Sequence, residues 1–266
     1  MTLSDTSLGE LRELAARYPQ ARSALLPMLH LVQSAEGSVT NEGIEVCADI
    51  LGISAAEVSG VATFYTMYKR RPMGRHHVGV CTNTLCAVMG GDLIFERLKG
   101  HLDVGNDETT DDGAVTLEHI ECNAACDFAP VMTVNWEFFD HQTPESAIDV
   151  VDRLRAGEPV QATRGATITS WREAERVLAG YEDGLADEGP SAAGPSLTGL
   201  QIASEKGWRA PTVEEAARTA DTADEVADTK EGAAEQADTS RAESETKVEQ
   251  SPAKTSQEST TEGDDD

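Results

Sequence analysis

The sequence predicts an α/β protein in three stretches: a helical bundle over residues 1–73, a compact layered domain over 74–181, and an acidic tail over 182–266. Three observations carry this reading. The first seventy or so residues show helical apolar spacing, good capping residues and short connections. From His76 onward, β-branched runs alternate with amphipathic stretches, in the order strand, helix, strand, strand, helix. From Glu182 to the end there are 22 acidic and 7 basic residues and one aromatic, Trp208. Such a composition buries too little apolar surface to offset chain entropy, so the tail is expected to be largely disordered.

The elements follow in order. "SLGE" (Ser7 to Glu10) is a capping-box pattern ahead of Leu11 and Leu14. "RSALLPMLHLVQSAEG" is strongly apolar and helical, and Pro27 inside it should kink it or begin a second segment. Thr40 is a good N-cap for a helix that stops near Gly52, and "SAAE" (Ser54 to Glu57) opens another toward "VATFYTMY". "HHVGVC" (His76 to Cys81) has the residues of a strand. "LCAVMGGDLIFERLKG" reads as one helix, with Leu85, Val88 and Met89 on the side that Ile94, Phe95 and Leu98 continue. After the turn signal at Asp111–Gly113 comes a strand in "AVTLEHIEC". "VMTVNWEFF" reads as two short strands around a turn at Asn135–Glu137. "TPESAIDVVDRLRAG" is the clearest helix: Thr143 caps it, Pro144 takes its first position, and Gly157 ends it. Its buried face is Ala147, Val150, Val151 and Leu154. "TSWREAERVLAGY" is a candidate for one more helix.

Composition excludes several functions. A net charge of −27 argues against nucleic acid or an anionic membrane surface as partner. No stretch approaches 18 apolar residues, so direct membrane insertion is not expected. The start, "MTLSDTSLGELREL", lacks a charged segment followed by an apolar run, so the cytoplasm is the expected compartment. Thiols stay reduced there, and clustered cysteines point to metal or redox chemistry rather than structural disulfides.

Four of the five cysteines are clustered. Cys81 and Cys86 are separated by four residues, and Cys122 and Cys126 by three. A cluster of two irons bridged by two sulfides needs four ligands, usually thiolates, two to each iron. Two close pairs on separate loops meet that need. Cys81 ends a strand, Cys86 opens a helix, and "NAAC" is a tight turn whose small residues let backbone approach a cluster. A four-thiolate zinc site is the main rival, but its pairs usually have two-residue gaps. A thiol–disulfide couple usually shows C-x-x-C, which is absent. Spacing alone favours iron–sulfur and leaves the other two open.

Together "RSALLPMLHLVQ", "VATFYTMY", "VCTNTLC" and "ECNAACDFAPVMTVN" resemble the E-type subunits of bacterial NADH-quinone oxidoreductase, respiratory complex I, the family of the mitochondrial 24 kDa subunit. The likeness covers about residues 18–157. It implies a thioredoxin-like 2Fe–2S ferredoxin domain behind the helical bundle, with Cys81, Cys86, Cys122 and Cys126 as ligands and no catalytic residue in this chain. It also implies a partner subunit that binds NADH and FMN, with which the cluster exchanges single electrons. Other peripheral-arm subunits would hold the chain at the cytoplasmic side of the cell membrane. The same module in a NAD-linked hydrogenase or formate dehydrogenase is an alternative, as is a zinc-stabilised binding domain with no redox role. One departure stands out: the family often has Gly just before the fourth cysteine, where this chain has Ala125.

The remaining features have plainer readings. Cys47 shares a helical face with Ile44 and Leu51, as a buried inert thiol would. His76 and His77 are not needed as ligands, and His30 reads as a packed or partly exposed helix residue. "MGGD" (Met89 to Asp92) lacks the spacing of a nucleotide-binding loop. "FYTMY" (Phe64 to Tyr68) reads as bundle core or a seam between domains, and Trp136 with "EFFD" as sheet packing. Residues 195–211 place Leu197, Leu200, Ile202 and Trp208 in a polar tail, the pattern of a docking segment.

Overall fold

The computed structural model describes residues 3–190, 192 and 194–212. They fall into two units divided between Thr198 and Gly199. Most of the acidic tail, from residue 213 on, lies outside the described residues.

The first unit opens with four helices: α1 (Asp5–Ala16), α2 (Leu25–Glu36), α3 (Asn41–Leu51) and α4 (Ala55–Phe64). Ser4, not Ser7, caps α1: its side chain accepts from the Ser7 N–H, so the helix begins earlier than the capping-box pattern implied. Pro27 sits in the first turn of α2, where its missing N–H costs nothing, after a short 3-10 turn at Ala21–Ala24. Thr40 and Ser54 cap α3 and α4 as expected, and Gly52 ends α3 in the left-handed conformation. Leu11, Leu14, Met28, Leu29, Val32, Ile44, Cys47 and Val58 form the bundle core. "FYTMY" is only partly core. Tyr68 is buried and donates to the carbonyl of Leu26. Phe64 and Tyr65 stand in solvent, because α4 ends at Phe64 and the chain turns.

A five-stranded sheet follows, ordered β2-β3-β1-β4-β5. Its strands are β1 (His76–Cys81), β2 (Glu108–Thr109), β3 (Val115–Ile120), β4 (Met132–Val134) and β5 (Glu137–Phe139). Only β1 and β3 run parallel; the other pairings are antiparallel. β2, two residues long, gave no signal in the sequence. The crossover between β1 and β3 holds α5 (Thr84–Val88) and α6 (Gly91–Leu102), two helices where the sequence suggested one. Gly90, at φ 112°, breaks the run. The apolar face therefore does not continue: Leu85, Val88 and Met89 are exposed, Val88 by 80%. Behind the sheet, α6 and α7 (Pro144–Arg155) pack together, and Val78, Val80, Ile94, Leu98, Leu117, Met132 and Val151 fill the space between.

"TSWREAERVLAGY" does form a helix, α8 (Trp171–Leu178), with a capping box at Ser170 and Glu173. It packs on α2 of the bundle, and Ala179 joins the bundle core. Glu175 of α8 is fully buried in the seam. Its carboxylate accepts from His30 Nδ1 at 2.6 Å, Gln33 Nε2 at 2.7 Å and Trp136 Nε1 at 3.1 Å. Trp136 projects from the tight turn between β4 and β5, whose residues Asn135 and Trp136 both have positive φ. One buried carboxylate on α8 thus ties α2 of the bundle to the β4–β5 turn of the sheet.

α9 (Gly194–Glu205) holds no buried residue; Leu197, Leu200, Ile202 and, beyond it, Trp208 are exposed.

Candidate metal centre

Parallel pairing of β1 with β3 creates the site. Cys81 is the last residue of β1 and stands opposite Ile120, the last of β3. Both chains therefore leave the same edge of the sheet side by side, at the carboxyl ends of the strands, where open α/β sheets bind ligands. Each exit carries a cysteine pair. Cys86 lies in α5, directly after β1, and Cys122 and Cys126 lie in the loop after β3. All four thiols line one open recess of about 420 Å³, with Asn83, Thr84, Leu85 and Val88. None is in a disulfide. Cys81 and Cys86 are buried, whereas Cys122 and Cys126 are exposed.

Cys86 and Cys122 both perturb Cys81, and Cys122 and Cys86 both perturb Cys126, so the thiols of the two loops influence one another. Among the described residues, no three His, Cys, Asp or Glu side chains converge on a point as a mononuclear site requires. Two pairs facing one recess suit two metals held by two thiolates apiece. Burial pushes the Cys81 thiol up to about 11, a backbone hydrogen bond at Asn83 opposes this, and the neighbouring thiols Cys86 and Cys122 add to it. The neighbouring thiol of Cys122 is the first cause of the rise at Cys126. Thiols held protonated in this way release protons when a metal takes them as thiolates.

Several residues that the sequence did not single out shape the loops. Asn83 Nδ2 donates to Glu121 Oε2 at 3.1 Å and links the first loop to the second. The N–H of Ala124 donates to Cys122 Sγ at 3.3 Å, from a residue at φ 54°. Ala125, where the family often has Gly, sits at φ −98°, so a side chain costs nothing there. Gly91 is the tightest point. A Cβ built on it would collide with the carbonyl oxygen of Cys81 and stand 2.9 Å from that of Cys86. "MGGD" is therefore the place where a helix start presses against both first-loop cysteines. Only the mutual contact of loop and helix, invisible in sequence spacing, reveals it.

The other candidate groups lie apart from the recess. His77 is fully buried and donates through Nε2 to Glu118 at 2.7 Å, between the rings of Trp136 and Trp171. Burial lowers its pKa, against the pull of Glu118. Lys69 Nζ donates to the same carboxylate. Burial would raise Glu118, but the His77 and Lys69 hydrogen bonds outweigh it and hold it at about 2. Cys47 is buried in the bundle, and desolvation pushes it up to about 12.

The model of the thioredoxin-like [2Fe-2S] ferredoxin family matches residues 11–155. The chain belongs to this family. Its cofactor is accordingly a 2Fe–2S cluster, and the four free thiols fit that group. The E-type chain of the Mycobacterium bovis NADH-quinone oxidoreductase is 61% identical over 201 residues, which cover 75% of this chain and 80% of the relative. Its counterpart from Rhizobium meliloti, the second E-type chain of that organism's NADH-quinone oxidoreductase, is 36% identical over 161 residues, 60% of this chain and 96% of that one. A mitochondrial relative from Dictyostelium discoideum, named NADH dehydrogenase [ubiquinone] flavoprotein 2, is 35% identical over 158 residues, 58% of this chain and 64% of its own. The ferredoxin family so identified is the one its cysteine flanks resemble.

Proposed function

We propose that this chain is the electron-transfer subunit of an NADH-quinone oxidoreductase, with Cys81, Cys86, Cys122 and Cys126 holding one 2Fe–2S cluster. The observation that supports it best is the meeting of both cysteine pairs in one recess at the ends of two parallel strands. When bound, the cluster supplies one-electron redox chemistry. The chain's own residues do positional work. The buried pair Cys81 and Cys86 sets the inner side of the site, and the exposed pair Cys122 and Cys126 the outer side. Asn83 and Glu121 hold the two loops together, and the Ala124 N–H offers a hydrogen bond to sulfur, which favours the reduced, more negative state. In this reading residues 1–73 brace the cluster-bearing domain of residues 74–181.

Hydride chemistry falls to a partner that binds NADH and FMN. Other subunits would attach the chain to the cytoplasmic face of the membrane, since no described helix is long and apolar enough to cross one. Iron and acid-labile sulfide, measured on the anaerobically purified chain, test the site. About two of each per chain are expected; about one zinc and no sulfide would refute it. Cys122→Ser should remove or alter the cluster spectrum while sparing the bundle.

A further inference from the structure

We propose that Arg164 is a positioning residue for the outer cysteine pair, acting through the ring of Phe128. The inference rests on the ligand assignment above. Arg164 lies past residue 155, the last one matched by the family model. It sits on the return segment between α7 and α8.

Its guanidinium lies 4.6 Å from the centroid of Phe128 and 4.3 Å from that of Phe138. Its Nε and Nη2 donate to the two oxygens of Asp140 at 2.7 and 3.1 Å. Asp140 is buried, and its own N–H donates to Thr163 Oγ1 at 2.9 Å. Thr163 in turn donates its N–H to the carbonyl of Phe138. The fork is thereby fixed in plane and direction, and a planar cation so held offers a flat face to each ring.

Phe128 is the link to the site. It follows Cys126 by two residues, in the short 3-10 turn Cys126–Phe128. Its side chain packs with Cys81, Cys86, Ala129 and Val131 in a small core of its own. Its carbonyl accepts from the His141 N–H at 2.8 Å, one residue after Asp140. Arg164 therefore closes one side of the turn that carries Cys126, and the inner cysteines close another. Asp140 offsets the charge of Arg164 at contact distance, so the role is one of geometry rather than of field. Supporting residues of this kind typically change metal affinity about 10- to 100-fold when altered.

The test uses the full chain with its cluster, as wild type, Arg164→Lys and Phe128→Leu. Lysine keeps the charge but loses the fork and the flat face. Phe128→Leu removes the ring and leaves the Arg164–Asp140 pair intact. Two readouts are taken well below the unfolding temperature: the electron paramagnetic resonance line shape of the reduced cluster, and the rate of iron release to a chelator. Both variants should broaden or shift the resonance and release iron about 10-fold faster or more. A lower melting temperature with resonance and release rate unchanged overturns the proposal, because a merely structural pair would do only that. Where one variant does not fold, the other decides. Wild type without iron and sulfide would instead refute the ligand assignment, a distinct failure.

Discussion

Gly91→Ala puts one methyl group where two cysteine carbonyls converge. The added Cβ would collide with the Cys81 oxygen and stand 2.9 Å from the Cys86 oxygen and 3.1 Å from its carbon. Reaching ordinary contact distance opens the Cys86 side alone by about 0.5 Å. Neither obstacle is a flexible side chain; both are backbone, pinned by the β1 pairing and by α5. Overpacking of this kind costs about 1–3 kcal/mol. For a folded region of this size that lowers the melting temperature by about 2–12 °C. The displacement falls on Cys81 and Cys86, so cluster content should drop as well. Gly100→Ala is the control. Gly100 lies within α6 with nothing within 4 Å of a built Cβ, and the change should stabilise by about 0.5–1 kcal/mol. Thermal unfolding together with iron and sulfide content, on both variants, checks the pair. If Gly91→Ala kept both at wild-type values, the close approach of α6 to the first loop would not be a constraint, and the reasoning would fail.

Other outcomes follow from the same structure. Burial and the nearby Arg75 hold His76 at about 4, below its ordinary 6.5. The neutral ring's stability is whole above 6.5 and is lost as pH falls toward 4, by about 2 kcal/mol after solvent screening. Glu118, held at about 2, adds a further loss between about 4.5 and 2, so denaturant midpoints should fall in acid in two stages. Glu175→Ala leaves His30, Gln33 and Trp136 donors buried without their acceptor. It should cost about 3 kcal/mol or more in urea unfolding followed by tryptophan fluorescence, with cluster absorption retained. Cys47→Ala should leave iron and sulfide untouched and cost about 1 kcal/mol for the small cavity. In the native iron-free chain, iodoacetamide should label Cys122 and Cys126 well before Cys47, as mass spectrometry would show.

Much of this architecture was legible because local rules and tertiary packing agree. Thr40, Ser54 and Thr143 cap helices in the structure as their sequence positions suggest. β1 and β3 coincide with β-branched runs; Cys81 ends β1, and the other three cysteines of the two pairs follow just past the strand ends. The misses share one cause: long-range contact decides them. Gly90 breaks a helix that apolar spacing alone would continue, because the chain must turn to lay α6 across the sheet. β2 is too short to have a period, and it exists only by pairing with β3. α8 looks from sequence like a late addition to the sheet domain, yet its buried Glu175 finds its donors on α2 and Trp136. Phe64 and Tyr65 are aromatic, and aromaticity alone argued for burial; their exposure depends on where α4 stops. At the site, the sequence grouped four cysteines into two close pairs, and the structure lines one recess with all four. Their supports, Asn83, Glu121 and Gly91, were not legible in the sequence, since each acts across a gap in the chain.

The parallel register of β1 and β3 also fixes an order of biogenesis. The two halves of the site are born far apart along the ribosomal product, and nothing local brings them together. Closing that span costs entropy before any sulfur can meet its counterpart, and a parallel pair demands the whole crossover first. The sheet's apolar core involves none of the four cysteines, so its burial can drive this closure without iron. Zinc fingers, by contrast, fold around their metal. This chain should fold before its cofactor arrives, with Cys122 and Cys126 open to solvent and Cys81 and Cys86 buried.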